Sequence, residues 1–294
     1  MVRASSSPSI LNVRFAKASG GRKASGRRRP LHYTMIGMKD KSIGVTHSHS
    51  WQVTPAEARQ VQQNLRLYWK SEDDFGKIQT VAGLDASFVL VGSQALKKPS
   101  RRWSRLRAAN RAIGCVVVYR FPELQELERT YAVRSLHFPY VPGLLSFREI
   151  PVLLDALDKL RALPDLLFCD AQGYAHPRRM GLASHLGVVM DRPSVGCAKS
   201  LLLGTHAKVP AGAGNWVPLV DEKSQGERIG AVLRTRTGVR PIYVSQGHRV
   251  SLESAIRLTL AVCDGYRIPR PTRDADHFAG EIKRKALAGQ LSEN

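Results

Sequence analysis

Apolar positions recur along the chain with two periods, one helical and one strand-like. Ala58, Val61, Leu65 and Tyr68 keep helical spacing after Thr54-Pro55-Ala56-Glu57, a capping box with proline in the first turn. A helix of about four turns is predicted there. Residues 80–90 read as a strand, and residues 113–120 and 129–136 as two more, joined by a turn at Phe121-Pro122-Glu123. Three strands with short links predict an antiparallel meander. Ile150, Leu153, Leu154, Leu157 and Leu160 share one face of a helix over 147–163, and Leu166-Leu167-Phe168-Cys169 is a short buried strand. A helix over 181–190 and a strand over 193–197 follow. This strand–helix–strand–helix–strand order calls for parallel pairing with crossover helices. Three short strand-like runs lie between 216 and 244, then helices over 251–263 and 273–287, with no internal repeat. The expectation is an α/β fold with a mixed central sheet flanked by helices.

A chain of 294 residues is long enough for one large domain and a tail. Charge changes the picture more than length does. Lys and Arg number 45 against 24 Asp and Glu, for a net charge of +21. That excess calls for a polyanionic partner, nucleic acid before an anionic membrane; the plainer reading is a soluble protein with a basic tail. Residues 1–39 hold no acid and carry Arg3, Arg14, Lys17, Arg22, Lys23, Arg27, Arg28, Arg29 and Lys39 among many Ser, Gly and Ala. We assign 1–50 as a disordered basic arm and 51–294 as the folded domain. The arm also has the composition of a mitochondrial transit peptide, and a start at Met35 or Met38 is a third reading. Residues 97–111 are a basic insertion with Trp103, either a phosphate-binding arm or a solvated hairpin tip. Cys115, Cys169, Cys197 and Cys263 are far apart and read as buried reduced thiols, not as a zinc site or disulfide framework. No apolar run reaches the length of a membrane span, so no membrane contact is expected; with no secure targeting signal the cytoplasm is the default, and a monomer is expected.

Three acids lie at element edges or inside a strand: Asp85, Glu149 and Asp170. Gathered carboxylates repel unless a cation sits among them, and three oxygen donors suit Mg²⁺, with Mn²⁺ as a substitute. Such a site activates water and stabilises charge on a phosphate. The plainer readings are an exposed strand position for Asp85, a capping box with Ser146 for Glu149, and a turn cap for Asp170. Lys199, in Gly196-Cys197-Ala198-Lys199-Ser200, is placed to meet a phosphate, although the spacing is not that of a Walker loop. His248 follows a strand and suits metal, phosphate or water contact, or a structural role. Arg178 and Arg179 open a helix and suit phosphate binding. Tyr140 sits between Pro139 and Pro142, with Gly143 next. A rigid loop tipped by an aromatic can enter a base stack, and a glycine lets backbone reach an extruded base.

Pro139-Tyr140-Val141-Pro142-Gly143-Leu144-Leu145-Ser146-Phe147-Arg148-Glu149 resembles the wedge motif of the endonuclease V family, the deoxyinosine 3′ endonucleases. The runs from Asp170 to Arg179 and from Gly196 to Ser200 resemble its further hallmarks. Gly83-Leu84-Asp85, Val244-Ser245-Gln246-Gly247-His248 and the run Arg267 to Arg273 also match, in collinear order over about residues 51–280. The resemblance implies a ribonuclease H-like fold, Mg²⁺ at Asp85, Glu149 and Asp170, and His248 close by. It implies Lys199 near the reacting phosphate, Tyr140 and its prolines as the wedge, and Gly143 in the base pocket, with Gly173, His176, Arg178 and Arg179 toward the substrate. Its substrate would be inosine-containing DNA, cut at the second phosphodiester 3′ to the lesion to leave 3′-hydroxyl and 5′-phosphate ends, in DNA repair. Two departures stand out. Ala171 replaces the usual glycine, and Gln246 the usual proline. The alternatives are an inosine-specific endoribonuclease and a catalytically silent nucleic-acid-binding protein. The retained acids argue against the silent binder, which gains nothing from carboxylates facing phosphates.

Overall fold

Helix α1 (Pro55–Leu65) starts on the predicted capping box. Thr54 Oγ1 accepts from the Glu57 amide at 3.3 Å, and Glu57 Oε2 accepts from the Thr54 amide at 2.8 Å. A 3-10 turn over Arg66–Tyr68 extends it. This computed structural model describes residues 44–91 and 106–290. The arm over 1–43 and residues 97–105 of the insertion lie outside the described residues. Within residues 44–50, the Thr46 and His47 amides both donate to the Val189 carbonyl, so packing against the domain is already present ahead of Trp51.

Strands β1 (Thr80–Val89), β2 (Arg111–Arg120) and β3 (Gln125–Ser135) form the antiparallel meander. Helix α2 (Ser146–Leu157) crosses to β4 (Leu166–Cys169), parallel to β1, and α3 (Leu182–Met190) crosses to β5 (Ser194–Ala198), parallel to β4. Strands β6 (Trp216–Asp221), β7 (Glu227–Leu233) and β8 (Ile242–His248) are antiparallel, and β8 joins β5. The result is one eight-stranded sheet in the order β3-β2-β1-β4-β5-β8-β7-β6. Helices α4 (Leu252–Ala261) and α5 (Arg270–Leu287) follow.

Strand alternation divides the core in two. Val81 of β1 and Leu166 and Phe168 of β4 pack with Leu252, Ile256, Phe278 and Ile282 of α4 and α5. Ala82, Leu84, Leu167 and Cys169 pack with Ile150 and Leu153 of α2 and Leu186 and Val189 of α3. Each buried Val, Leu, Ile or Phe among these contributes about 1.5–3 kcal/mol, so both faces hold the sheet at the strand ends that carry the acids.

Several boundaries move from their expected places, β8 among them, which runs on to His248. Helix α2 stops at Leu157 rather than 163, where the bonding tightens to i→i−3 turns, Lys159 to the Ala156 carbonyl and Leu160 to the Leu157 carbonyl. Strand β3 starts at Gln125, where a polar, exposed edge shows no alternation. Helix α5 starts at Arg270, with Pro271 tolerated in the first turn, where no amide bond is lost.

Candidate active site

Strand β4 ends opposite Leu84, and the Asp170 amide donates to the Leu84 carbonyl at 3.1 Å. Asp85 and Asp170 are therefore the next residues on neighbouring parallel strands. Gly83 brings the first turn of α5 down onto β1. A Cβ at Gly83 would lie 1.9 Å from the Pro271 carbonyl oxygen, so a side chain there would displace the helix. That contact sets α5 so that Asp276 meets Lys199 Nζ at 2.9 Å, while Lys199 Nζ also meets Asp170 at 2.5 Å. Glu149 comes from the first turn of α2. It completes no capping box: Leu145 is the N-cap without a side-chain bond, and Ser146 Oγ is paired with His185 Nδ1 at 3.0 Å. Glu149 is buried and free of a capping role.

Burial and mutual repulsion shape the charges. Burial, then Asp170 and Asp276, push the Asp85 carboxyl up to about 8. Burial, then Asp85 and Asp170, hold Glu149 well above the usual carboxylate range. Burial also raises Asp170, against the pull of Lys199. Burial alone would lower the Lys199 ammonium, but Asp170 and Asp276 outweigh it and keep Lys199 charged. Four acids and one lysine thus share one electrostatic neighbourhood, and Asp276 is the member that the sequence pattern did not single out.

Asp85, Glu149 and Asp170 are oxygen donors of like charge, raised by burial and by their acidic neighbours, which is the arrangement a hard divalent cation relieves, and Asp276 stands exposed at their edge. Among the described residues no three His, Cys, Asp or Glu side chains are arranged to hold an ion; the positive charge inside the cluster is Lys199.

His248 is not part of this neighbourhood, which corrects the expectation. Strand β8 runs against β5, so His248 pairs with Ser194 while Tyr243 pairs with Ala198, next to Lys199. Four residues at ~3.3 Å each place His248 about 13 Å away along the sheet. Its Nδ1 accepts from the Lys70 amide at 3.2 Å, and its Nε2 pairs with Asp191 at 3.1 Å. It ties the chain after α1 to the end of α3. Arg179 is a second correction. Its left-handed backbone (φ 55°) turns the side chain inward, where Nη2 meets Asp221 at 2.7 Å and Glu227 at 2.6 Å. It is buried among acids, not offered to phosphate.

The loop before α2 forms a second centre. Pro139 and Pro142 are exposed and Tyr140 half-buried, with the Arg148 guanidinium 6.0 Å from its ring centroid and 4.9 Å from that of Phe88. Gly143 takes φ 76°, a conformation that favours glycine, and its carbonyl accepts from Arg178 Nη2 at 2.6 Å and His176 Nε2 at 3.0 Å. Burial, then Arg178, pull the His176 imidazole down to about 4, so it is neutral; Nδ1 accepts from the Arg178 amide, which leaves the proton on Nε2. Gly173 is buried against β8: its amide donates to Ser245 Oγ at 2.9 Å, and a Cβ would lie 2.1 Å from the Gln246 carbonyl oxygen. Gln246 Oε1 is buried without a partner. Ala171 is half-buried after β4.

The family model for Endonuclease V matches residues 59–277. An Endonuclease V of Roseiflexus sp. (strain RS-1) is 50% identical over 236 residues, covering 80% of this chain and 96% of that protein. The crystal structure of Endonuclease V from Streptomyces avermitilis is 38% identical with a TM-score of 0.70, covering 81% of this chain and 96% of that one. Endonuclease V of Ciona intestinalis, solved in complex with a 24mer DNA containing an inosine followed by a ribo-adenosine, is 27% identical with a TM-score of 0.65, covering 79% and 98%. The fold is ribonuclease H-like, and with matches of this length and identity the chain belongs to the Endonuclease V family.

Proposed function

We propose that this chain is a divalent-metal-dependent endonuclease that recognises deoxyinosine in DNA and hydrolyses the second phosphodiester bond on its 3′ side, leaving 3′-hydroxyl and 5′-phosphate ends, in DNA repair. The buried acid cluster with Lys199 inside it is the observation that carries the reading. Asp85, Glu149 and Asp170, with Asp276 added, are the residues that would hold Mg²⁺, or Mn²⁺ in its place. When bound, such an ion supplies Lewis acidity toward the phosphate and an acidified water. The protein's own groups do the rest. Lys199 brings a permanent positive charge to a phosphate oxygen. Tyr140 and its prolines fill the gap left by an extruded base. Gly143, held by His176 and Arg178, lines the pocket that receives it. The neutral His176 keeps its proton on Nε2, so the pocket keeps one hydrogen-bond pattern across the neutral range.

The excess of basic residues supports a polyanionic substrate, and no helix among the described residues is long and apolar enough to cross a membrane. We read the protein as a cytoplasmic monomer. A second reading, cleavage of inosine in RNA, draws on the ribo-adenosine in the Ciona complex, because a 2′-hydroxyl is what separates the two substrates. The test is incubation with matched oligonucleotides, as DNA and as RNA, with inosine or adenine at one position, with Mg²⁺ or chelator. The reading expects one product from the inosine DNA, in Mg²⁺ alone. Cleavage of RNA only would favour the second reading, and binding without cleavage the silent-binder alternative.

A further inference from the structure

Gln62 lies on the apolar stripe of α1, between Ala58 and Leu65, and is 1% exposed. A buried amide costs free energy unless every group is paired. Here it is paired throughout. Its Oε1 accepts from Arg178 Nε at 2.6 Å, and its Nε2 donates to the Met180 carbonyl at 3.0 Å and to the Gly143 carbonyl at 3.3 Å. The partners fix the amide orientation, since a guanidinium only donates and a carbonyl only accepts. The Gly143 carbonyl therefore has three donors directed at it: His176, Arg178 and Gln62. On the other side of the same peptide, the Leu144 amide donates to the Val141 carbonyl at 3.0 Å. Both ends of the Gly143–Leu144 peptide are pinned, just before the helix that carries Glu149.

We propose that Gln62 is a positioning residue for base discrimination. It touches neither phosphate nor base in this scheme. It fixes Arg178 at Nε so that Nη2 is aimed at Gly143, and so sets the shape of the base loop. Without it, Arg178 keeps one anchor, and the Gly143 carbonyl is left to His176 and a less firmly held Arg178. The inference rests on reading Pro139–Gly143 as the base-receiving loop.

The experiment measures kcat and KM on duplexes with inosine or adenine at one position, in Mg²⁺, for the full chain and three variants. Gln62→Met keeps length and helix but offers Arg178 no acceptor. Its inosine-over-adenine ratio of kcat/KM should fall about ten-fold, the equivalent of about 1.4 kcal/mol, through KM, with kcat on inosine within about two-fold. Gln62→Glu keeps the acceptor for Arg178 but loses the donors to the Met180 and Gly143 carbonyls, and should restore part of the ratio. An unchanged ratio in Gln62→Met, or equal losses of kcat in Gln62→Met and Gln62→Glu with equal drops in melting temperature, would overturn the proposal. Gly143→Ala separates it from the reading beneath. A Cβ there meets Arg178 Nη2 at 3.0 Å. If Gly143→Ala loses the preference and Gln62→Met does not, the role of Gln62 falls alone. If neither loses it, the base-loop reading falls as well.

Discussion

The acid cluster and the Gly143 loop both bury polar groups, in opposite ways. At the strand ends, Asp85, Glu149, Asp170 and Asp276 are gathered acids, and among the described residues Lys199 is the cation that ion-pairs with them. At the loop, three donors converge on one carbonyl, and Gln62 and His176 are neutral and hydrogen-bonded. A cluster left short of positive charge is built to receive some from outside. A saturated carbonyl is built to stay where it is. On the proposed function, the first region does the chemistry and the second the recognition.

Breaking the first region should have the largest effect. Asp85→Asn or Glu149→Gln should lower single-turnover cleavage of an inosine duplex by at least about 10²–10³, the scale of losing one preorganised electrostatic group. Near-parental rates in either variant would remove that residue from the site. Breaking the second should act on binding. Tyr140→Ala should weaken binding to paired inosine by roughly one to two orders of magnitude, from about 1–3 kcal/mol of base–aromatic stacking. The loss should shrink where inosine is unpaired, and Tyr140→Phe should stay near the parent. Equal losses in both contexts would return Tyr140 to a packing role.

Two further variants sharpen the contrast through stability. Arg179→Met strands Asp221 and Glu227 and should lower the melting temperature by roughly 5–10 °C, with the preference for inosine unchanged in the protein that remains folded. A lost preference at unchanged stability would restore Arg179 to the substrate. A second stability readout is a pH dependence. The folded Asp85 holds its proton up to about 8, against an ordinary value of 3.8. Between those values the folded state binds more protons than the unfolded one, so this group's contribution to stability falls as pH rises. Asp85→Asn removes that fall. In chelator the variant should melt above the parent at pH 8, and the gap should close toward pH 5. A gap that is constant with pH would show that Asp85 is not held protonated.

Much of this division was legible along the chain, for physical reasons. The run Leu166–Cys169 is apolar at every position, so a buried strand and the acid after it stand out. The capping box before α1 depends on local contacts alone. Long-range placement was less legible. His248 ends a strand as clearly as Asp170 follows one, but β8 runs antiparallel to β5, which sends it to the other end of the sheet. Arg178 and Arg179 are neighbours of one type, and only the left-handed turn at Arg179 separates their fates. Asp276 sits inside a polar helix whose close seat on Gly83 no local pattern announces. Gln62 did leave a trace, as a polar residue on an apolar helical stripe, and that is the pattern a buried positioning group makes.

The central claim is that cutting and recognising belong to separate regions. Its most direct test is the binding preference of Asp170→Asn for inosine over adenine duplex, measured as a ratio of Kd values beside its cleavage rate. The account predicts that cleavage is lost while the ratio stays within about three-fold of the parent, since base recognition draws on the loop and not on the acid. A ratio that collapses toward one together with the rate would contradict it.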